Sequence, residues 1–394
     1  MKTFAVIGGG PAGSTAAEGL ARAGTRVQLF EERPDWEKPC GGGVSARALR
    51  QYPFLKLASA GNRSVDEIEF LASNGARALV RMREPLAVYS RSKLNALLLR
   101  RAEEAGAEIV TDRVTRLESD SSGWILKCFR GTHRADFIVV AAGARTLLRA
   151  NLAGPLESRD FMLTFGYYLW GEGDRLRVKF FDGLEGYAWI FPRFDHRSVG
   201  ICGRMTETTM PQLQARLHGF MQEFGLQPGD SPVFAHLLPG LSPRSWTDLR
   251  LAGKGWALVG DAAGLVDPIS GEGIYYAMRS GEILAECVAA GAPGEYAQRV
   301  WCEIGSELSE AARLGRFLFY SEIAGCSPAM RAVQYCRDNQ TFVELTLDLM
   351  EGRQLYKTVV PRVIRVLGTS LVESTLNRFL KNPFSRERAS SQAD

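Results

Sequence analysis

The stretch Phe4–Ala17, FAVIGGGPAGSTAA, is an apolar run that passes into three glycines and then into small residues compatible with a helix. Its glycines have the GxGxxG spacing, and a second apolar run after residue 26 ends on Glu31. A strand, a glycine turn, a helix and a second strand ending in an acid are the elements of a dinucleotide-binding βαβ unit. Gly8 permits the tight turn, Gly10 lets a pyrophosphate approach the backbone, and Gly13 lets the helix pack against the strand.

The helix that follows this turn offers unpaired N–H groups and a partial positive charge at its N-terminus, which suit phosphates. Glu31 is placed to accept hydrogen bonds from ribose hydroxyls, and its charge would repel a 2′-phosphate. The sequence therefore predicts a dinucleotide site at the start of the chain.

Composition sets bounds on the class of protein. The 394 residues are 45% hydrophobic and 23% charged, enough for two or three domains, and the net charge of +4 is too small to suggest a nucleic-acid partner. The seven cysteines show neither a CxxC pair nor a Cys/His cluster at metal spacing, so we expect a reduced, cytoplasmic protein without a metal. The first apolar run is too short for a signal peptide, and no stretch reaches the roughly 18 apolar residues of a membrane span.

A second glycine-rich segment, Leu258–Gly264 (LVGDAAG), follows an apolar run and precedes Pro268 and the triplet Gly271–Gly273. It resembles the second FAD fingerprint of the para-hydroxybenzoate hydroxylase-like flavoproteins. Asp261, at the carboxyl end of a strand, would accept hydrogen bonds from ribityl hydroxyls. The helix after Gly273 would direct its positive end at the flavin pyrimidine, where the reduced cofactor carries negative charge. The resemblance implies FAD as the cofactor.

Two other positions bear on the cofactor through the same resemblance. Arg91 precedes a predicted helix, where an arginine of this group reaches the FAD pyrophosphate or ribityl region. The third family motif has an Asp before a glycine, but here Ala142 precedes Gly143. The departure leaves FAD binding in place and puts a hydroxylase-like NADPH site in doubt.

The order of predicted elements indicates that the nucleotide-binding unit is discontinuous, because its last strand and helix come some 250 residues after its first. We predict an α/β Rossmann-like FAD-binding domain, an inserted antiparallel-sheet substrate domain and a C-terminal helical region. The predicted boundaries are residues 1–55 with 90–155 and 247–300 for the first domain, 56–89 with 156–246 for the second, and 301–394 for the third.

Two motifs select a branch of these flavoproteins. Lys38–Ser45 (KPCGGGVS) and Tyr187–Pro192 (YAWIFP) resemble the PxCxGG-type loop and the YxWxFP motif of the geranylgeranyl reductase family. Over roughly residues 1 to 290, the chain resembles that family in both motifs and in their order. The resemblance implies FAD-binding residues at Gly8, Gly10, Ala12, Gly13, Glu31, Glu32, Cys40, Gly41, Arg91, Val114, Gly143, Gly260, Asp261, Gly271, Gly273 and Ile274.

The resemblance also implies chemistry: saturation of double bonds in a polyprenyl chain on a lipid, a diphosphate or a quinone. In one route, the isolated alkene is protonated first and then accepts hydride, and aromatic faces stabilise the cationic carbon while water is excluded. On a strand, Tyr187, Trp189 and Phe191 share one face. We expect Tyr187, Trp189 and Cys40 to be the catalytic residues. The alternatives are plain core packing for the aromatics and a structural or gating thiol for Cys40.

Other functions stay open at this point. A flavin monooxygenase or halogenase acting on an aromatic or polyketide substrate shares the FAD fingerprints, and a flavin-bearing electron-transfer or lipid-binding protein would lack turnover. No second nucleotide fingerprint identifies the electron donor, which is NAD(P)H or a ferredoxin-like protein. The four histidines lie in contexts that predict surface or capping roles.

The segment Arg353–Arg388 carries eight Lys/Arg and two Glu, a local charge of 8 − 2 = +6. Apolar residues interleave with these cations, a pattern that suits peripheral contact with an anionic bilayer. A C-terminal helix packed on its own domain is the alternative. We expect a cytoplasmic protein. If the segment contacts an anionic bilayer, we expect the protein to be peripheral to the inner face of the membrane.

Overall fold

A computed structural model describes residues 2–57, 61–322 and 325–366. The strands are β1 Thr3–Ile7, β2 Arg26–Phe30, β3 Gly43–Val44, β4 Asn62–Ala72, β5 Arg77–Tyr89, β6 Glu108–Val110, β7 Val114–Asp120, β8 Gly123–Cys128, β9 Thr132–Ala135, β10 Phe137–Val140, β11 Phe161–Trp170, β12 Leu176–Phe180, β13 Tyr187–Pro192, β14 His196–Arg204, β15 Val233–Pro239, β16 Ala252–Gly253 and β17 Trp256–Leu258. The α-helices are α1 Pro11–Arg22, α2 Ala46–Gln51, α3 Phe54–Leu57, α4 Arg91–Glu104, α5 Ala150–Ala153, α6 Met210–Gln222, α7 Ile274–Ala289, α8 Tyr296–Val300, α9 Ser306–Tyr320, α10 Pro328–Asp338 and α11 Gln340–Met350.

The nucleotide-binding half is a six-stranded sheet in the order β16-β17-β10-β1-β2-β6. All its pairs are parallel except β16 with β17. Residues of β1, β10 and β17 are almost all buried, as expected for a sheet covered on both faces. Helix α1 packs against α7 and α4, and Gly281 allows the close approach, because a Cβ there would lie 2.5 Å from Ala12 O.

The second half is an eight-stranded sheet in the order β15-β11-β14-β13-β12-β4-β5-β3. One face packs against α6 and includes the buried side chains of Ala188 and Ile190. The other face carries the alternate residues of the same strands. Over β4, β5 and β12 this second face is covered by α10 and α11, whose Met330 and Leu345 enter a common core with it.

A three-stranded sheet of β7, β8 and β9 and the helices after residue 295 complete the molecule. Within the described residues, no helix combines the length and the apolar character needed to cross a bilayer. All seven cysteines are free thiols.

The predicted fold class is confirmed: a Rossmann-like FAD-binding sheet, an additional antiparallel sheet and C-terminal helices. The domain boundaries stay a prediction, and one element crosses them. Strand β3, inside the predicted segment 1–55, pairs antiparallel with β5 of the eight-stranded sheet, where Gly43 lies opposite Val88. The chain after Cys40 therefore leaves the nucleotide-binding half and returns to it through α2.

Candidate functional site

The first glycine turn links β1 to α1. Gly8 has a φ of +107°, and a Cβ at Gly13 would lie 1.8 Å from Gly8 O. The space around Gly10 is open, with no atom within 4 Å of an added Cβ. Gly10 also caps α1 without a side-chain hydrogen bond, so the N–H groups of Ala12 and its neighbours are available to a ligand.

Glu31, at the end of β2, closes the other side of this turn. Its Oε2 accepts a hydrogen bond of 2.6 Å from Gly9 N, and its Oε1 accepts one of 2.8 Å from Arg33 N. Glu32 is exposed. Val114 is buried at the start of β7. These residues border the region where the resemblance places the adenosine end of the cofactor.

The second fingerprint follows β17. Asp261 lies in a short 3₁₀ turn, and its Oδ2 is 2.5 Å from Lys38 Nζ. Burial acts to raise the pKa of Asp261, but the charge of Lys38, its hydrogen bond and the charge of Arg91 together outweigh burial, so the pKa is lowered. Gly273 begins α7 without a side-chain cap, and Ile274 is its first residue. Asp261 therefore stands as a carboxylate beside a second open helix N-terminus.

Gly260 and Gly271 complete that turn with φ values of +60° and +70°. Gly143, after β10, has a φ of +78° and open space around its Cα. Each of these three conformations favours glycine.

Arg91 begins α4 and is 4% exposed. Its Nη1 lies 3.5 Å from Cys40 Sγ and its Nη2 lies 3.4 Å from Asn95 Oδ1, while its buried Nε has no partner among the described residues. Burial acts to lower the pKa of Arg91, but the charges of Cys40, Asp261 and Glu37 outweigh it and raise that pKa. Arg91 is therefore a buried cation that faces Cys40 and Asp261 of the second fingerprint.

The Cys40 loop is held by a buried network that the sequence analysis did not predict. Arg193 is 0% exposed, and it donates to Glu37 Oε1 at 2.6 Å and to the Cys40 carbonyl at 2.7 Å. Ser198 Oγ donates to the same carbonyl at 2.9 Å. Burial acts to raise the pKa of Glu37, whereas the charge of Arg193 acts to lower it. The pKa of Glu37 is lowered overall. Arg193 follows YAWIFP directly, which is the sequence signal that could have identified it.

Glu37 also fastens this loop to α4. Its carboxylate accepts the backbone N–H groups of Arg91 at 2.7 Å and of Ser92 at 3.1 Å. A carboxylate at a helix N-terminus is stabilised by the helix dipole as well as by these bonds. Gly41, next to Cys40, packs against the ring of Phe191.

Tyr187, Trp189 and Phe191 lie on the same face of β13, as predicted from their spacing. The Tyr187 hydroxyl donates to the Ser270 carbonyl of the second FAD fingerprint. The Trp189 indole N–H donates to Ser198 Oγ at 3.2 Å. This aromatic face therefore lies against both the Cys40 loop and the segment before α7.

The aromatic rings lie flat on the sheet because glycines leave room beneath them. A Cβ on Gly200 would lie 2.3 Å from the Trp189 ring, and one on Gly166 would lie 2.4 Å from the Phe234 ring. The rings of Trp189 and Phe234 are stacked, with 6.5 Å between centroids and 20° between planes. Phe234 was not predicted as a site residue.

His236 is also on this face, which corrects the expectation of surface or capping histidines. It pairs with Thr164 across β15 and β11, and the buried atoms His236 Nε2 and Thr164 Oγ1 have no partner within the described chain. Burial, with the charge of Lys38 adding, lowers the pKa of His236 to about 4. The position of His236 beside Lys38 and Asp261 depends on the pairing of β15, which local sequence does not reveal.

A potential metal cluster lies away from this site, where Asp112, Cys128 and His133 bring one ligand atom each within 4.8 Å of one another. The Asp112 carboxylate already accepts the N–H groups of Arg113 at 2.7 Å and of Arg130 at 3.0 Å. Burial raises the pKa of the Cys128 thiol to about 11, which disfavours the thiolate that a metal binds. The expectation of no metal stays a prediction.

The residues present fit FAD. Two helices with uncapped N-termini, α1 and α7, are suited to the pyrophosphate and the flavin pyrimidine. Glu31 and Asp261 offer carboxylates for ribose and ribityl hydroxyls, and Arg91 offers an unpartnered N–H.

Comparison with known proteins agrees with this geometry. The FAD dependent oxidoreductase family matches residues 82–286, and an NAD(P)-binding Rossmann-like domain matches residues 6–57. A geranylgeranyl diphosphate reductase from the chloroplast of Oryza sativa subsp. japonica is 31% identical over 407 residues, covering 91% of this chain and 82% of the relative.

Two further relatives extend the comparison. A digeranylgeranylglycerophospholipid reductase from Methanothermobacter thermautotrophicus is 29% identical over 343 residues, covering 79% of this chain and 86% of the relative. The crystal structure of a geranylgeranyl bacteriochlorophyll reductase-like protein from Thermoplasma acidophilum superimposes with a TM-score of 0.76 at 22% identity, covering 93% of this chain and all of that one. The structural match supports the fold alone.

Proposed function

The chain belongs to the geranylgeranyl reductase family of FAD-dependent oxidoreductases, and we propose that it saturates carbon–carbon double bonds of a polyprenyl chain. The observation that carries the proposal is the aromatic face of β13. It lies against the Cys40 loop through Phe191 and against the second FAD fingerprint through Tyr187.

In this proposal the cofactor is held from both fingerprints. Gly8, Gly10, Ala12 and Gly13 admit the pyrophosphate, Glu31 binds the adenosine ribose, and Asp261 binds the ribityl chain. Reduced FAD, when bound, supplies the hydride for the double bond. The other FAD-binding residues proposed are Glu32, Cys40, Gly41, Arg91, Val114, Gly143, Gly260, Gly271, Gly273 and Ile274.

The prenyl chain would lie on the rings of Tyr187, Trp189 and Phe234. Aromatic faces stabilise cationic character at carbon and exclude water, which would otherwise capture such a carbon. The relatives act on prenyl groups with different heads, by their names a diphosphate and a glycerophospholipid. For the substrate of this chain we propose a prenyl group on one of these head groups, and the diphosphate is the first to test.

The test is anaerobic reoxidation of the dithionite-reduced holoenzyme by geranylgeranyl diphosphate. We expect the flavin absorbance to return and the product to gain two hydrogens per saturated bond by mass spectrometry. A wild-type enzyme that is reoxidised only by oxygen would favour the monooxygenase or halogenase alternative, which the relatives support less. A reduced flavin that no prenyl lipid reoxidises would favour an electron-transfer or lipid-binding role.

The electron donor is a separate proposal, NAD(P)H or a ferredoxin-like protein. Ala142 replaces the acid of the hydroxylase motif and lies exposed after β10. Stopped-flow reduction of the holoenzyme by NADH, by NADPH and by reduced ferredoxin would rank the three.

Peripheral contact with the membrane is a further proposal, and the packing of residues 353–366 weakens it. Arg353 and Arg362 form ion pairs with carboxylates of the same chain. Val359 is buried, whereas Ile364 is 66% exposed. The rest of the segment Arg353–Arg388 lies outside the described residues. Flotation with phosphatidylglycerol vesicles should show binding that weakens as salt rises, and equal binding to neutral vesicles would contradict an electrostatic contact.

A further inference from the structure

Tyr168, on β11, belongs to the aromatic face although it lies in neither family motif. It lies directly opposite Ser198 of β14, and Ser198 lies opposite Phe191 of β13. Directly opposed residues of antiparallel strands project from the same side of a sheet, so these three side chains form one row. The neighbouring row holds Trp189 and Phe234, and the ring of Tyr168 packs on that of Phe234 with 4.8 Å between centroids. A ligand that covers these rings therefore also meets Tyr168.

The row of Tyr168 lies at the end of the face that borders the Cys40 loop. Ser198 Oγ donates to the Cys40 carbonyl at 2.9 Å. Arg193 donates to the same carbonyl, and its guanidinium carbon lies over the Tyr168 ring, 5.1 Å from the centroid. Tyr168 therefore stands between the rings proposed to carry the prenyl chain and the loop that carries the Cys40 thiol.

The Tyr168 hydroxyl has no hydrogen-bond partner in the described part of the chain, and its oxygen is shut off from solvent. A buried hydroxyl in that state costs free energy, so such a group in a native fold calls for an explanation. Burial raises the pKa of Tyr168, and the phenol therefore keeps its proton at neutral pH. The face thus carries an O–H group that is free to act on a ligand.

The other polar hydrogens of the face are less suited to leave. Tyr187 donates its hydroxyl to a backbone carbonyl, and Trp189 donates its N–H to a serine. Thr164 Oγ1 also lacks a partner among the described residues, but an alcohol is a weaker acid than a phenol. The pKa of His236 is lowered to about 4, so its ring is neutral at neutral pH, and a neutral imidazole holds its proton more tightly than a phenol does.

We propose that Tyr168 is the acid that delivers the proton to the prenyl double bond, an inference that rests on the proposed reductase function. The phenol O–H bond breaks, and a C–H bond forms at the less substituted alkene carbon. The hydride that reduced FAD supplies forms the second C–H bond at the tertiary carbon, so the alkene gains two electrons from the cofactor. Tyr168 is left as a phenolate, which regains a proton from water once the product has left.

Two buried cations are placed to stabilise that phenolate. The charges of Arg193 and Arg91 act to lower the pKa of Tyr168, against burial and the charges of two neighbours, Cys40 and Glu37. Arg193 is fully buried over the ring, and the buried Arg91 Nε has no hydrogen-bond partner within the described residues. In a site that a bound prenyl chain shields from water, such fixed charges act more strongly than they would in solution.

The experiment compares wild type with Tyr168→Phe in the FAD-loaded enzyme, since phenylalanine keeps the ring and removes only the hydroxyl. Tyr167→Phe is the matched control, because Tyr167 faces the α6 side of the same strand and its hydroxyl is bonded to His218 at 2.8 Å. We expect Tyr168→Phe to bind FAD as wild type does and to be reoxidised anaerobically by geranylgeranyl diphosphate roughly 100-fold more slowly or worse. Tyr167→Phe should keep the wild-type rate.

A second readout does not depend on turnover. Fluorotyrosine in place of Tyr168 puts a fluorine nucleus beside the hydroxyl, and geranylgeranyl diphosphate bound to the oxidised enzyme should shift its magnetic resonance. The same label in place of Tyr167 should not move, because that side chain lies on the opposite face of the sheet. This measurement tests whether the substrate meets the Tyr168 hydroxyl even if Tyr168→Phe fails to fold.

The outcomes separate the inference from the function on which it rests. If prenyl substrate reoxidises the wild type, then an unchanged Tyr168→Phe rate or an unmoved fluorine resonance would overturn the inference alone. A slow Cys40→Ala beside a fast Tyr168→Phe would overturn it in favour of the thiol. A wild type that prenyl substrate cannot reoxidise would overturn the proposed function, and the alkene as proton acceptor with it.

Discussion

In the nucleotide-binding half, Gly8, Gly10 and Gly13 fall within six consecutive residues. The aromatic face, in contrast, combines Trp189 of β13 with Phe234 of β15, and these two strands are not neighbours in the sheet. The first region is built from backbone: turns, open helix ends and positive φ angles. The second is built from side chains that meet only because β11 and β14 lie between β15 and β13. A local backbone motif is therefore visible in the sequence, whereas the sequence shows a sheet face only one strand at a time.

The largest effect is expected from a glycine of the backbone-built half. Gly13→Ala places a methyl group 1.8 Å from Gly8 O, so the turn must move and FAD binding should be lost together with much of the stability. Gly10→Ala meets no atom within 4 Å, so the apoprotein should melt as wild type does while FAD affinity falls. Flavin occupancy and thermal melting measure the two effects.

The control for these glycines is Gly219→Ala on α6, where an added Cβ also meets nothing. It should leave FAD binding unchanged and stabilise the protein by about 0.5–1 kcal/mol, since alanine loses less entropy in a helix. A Gly13→Ala protein that retains full flavin occupancy would contradict the placement of the cofactor.

The next effect concerns the network that joins the two halves. Arg193→Met removes a fully buried cation, so the Glu37 carboxylate loses its ion-pair partner, and this should cost about 3–5 kcal/mol of the free energy of unfolding. Arg81→Met is the control, because its pair with Asp66 is exposed and worth about 0–1 kcal/mol. Urea unfolding compares them, and equal losses would show that the Cys40 loop does not depend on Arg193.

A smaller effect is expected on the aromatic face. Trp189→Leu keeps an apolar wall and removes the ring, so FAD should stay bound while alkene reduction falls roughly thirty-fold, the equivalent of about 2 kcal/mol. Trp170→Leu, at the exposed end of β11, should change nothing. Anaerobic reoxidation by prenyl substrate measures both, and a Trp189→Leu rate equal to wild type would make Trp189 a packing residue. Cys40→Ser is a companion variant for the thiol beside Arg91.

The smallest effect is a pH dependence at Asp261. Its folded pKa is lowered, so the stability from the Lys38 pair is present above the ordinary carboxyl pKa and is lost as pH falls through the lowered folded value. Asp261→Asn should remove that slope and lower FAD affinity about ten-fold, because hydrogen bonds to a charged group are lost. Denaturant titrations from neutral to acidic pH, with and without FAD, are the check. Identical slopes for the two proteins would contradict the assignment.

Much of the nucleotide-binding half was predictable, because each of its motifs is a short continuous segment of the sequence. The turn at Gly8–Gly13, the acid at Glu31 and the strand before Asp261 all lie where the sequence predicts them. The shared face of Tyr187 and Trp189 was also predictable from the two-residue repeat of a strand. Their catalytic roles stay predictions, as does that of Cys40.

What the sequence left open has a common cause, which is separation along the chain. Lys38 and Asp261 are 223 residues apart, and Glu37 and Arg193 are 156 apart. The histidine that the sequence analysis assigned to the surface or a cap, His236, lies in the site because β15 pairs with β11.

The sequence by itself determined the two FAD fingerprints, the two family motifs and the alternation of the strands, since backbone sterics and side-chain period act over a few residues. Only the tertiary structure decided which polar groups meet: Lys38 with Asp261, Arg193 with Glu37, and Arg91 with Cys40. It also decided that the Tyr168 hydroxyl is buried without a partner in the described part of the chain, because desolvation depends on everything packed around a group rather than on its neighbours in sequence.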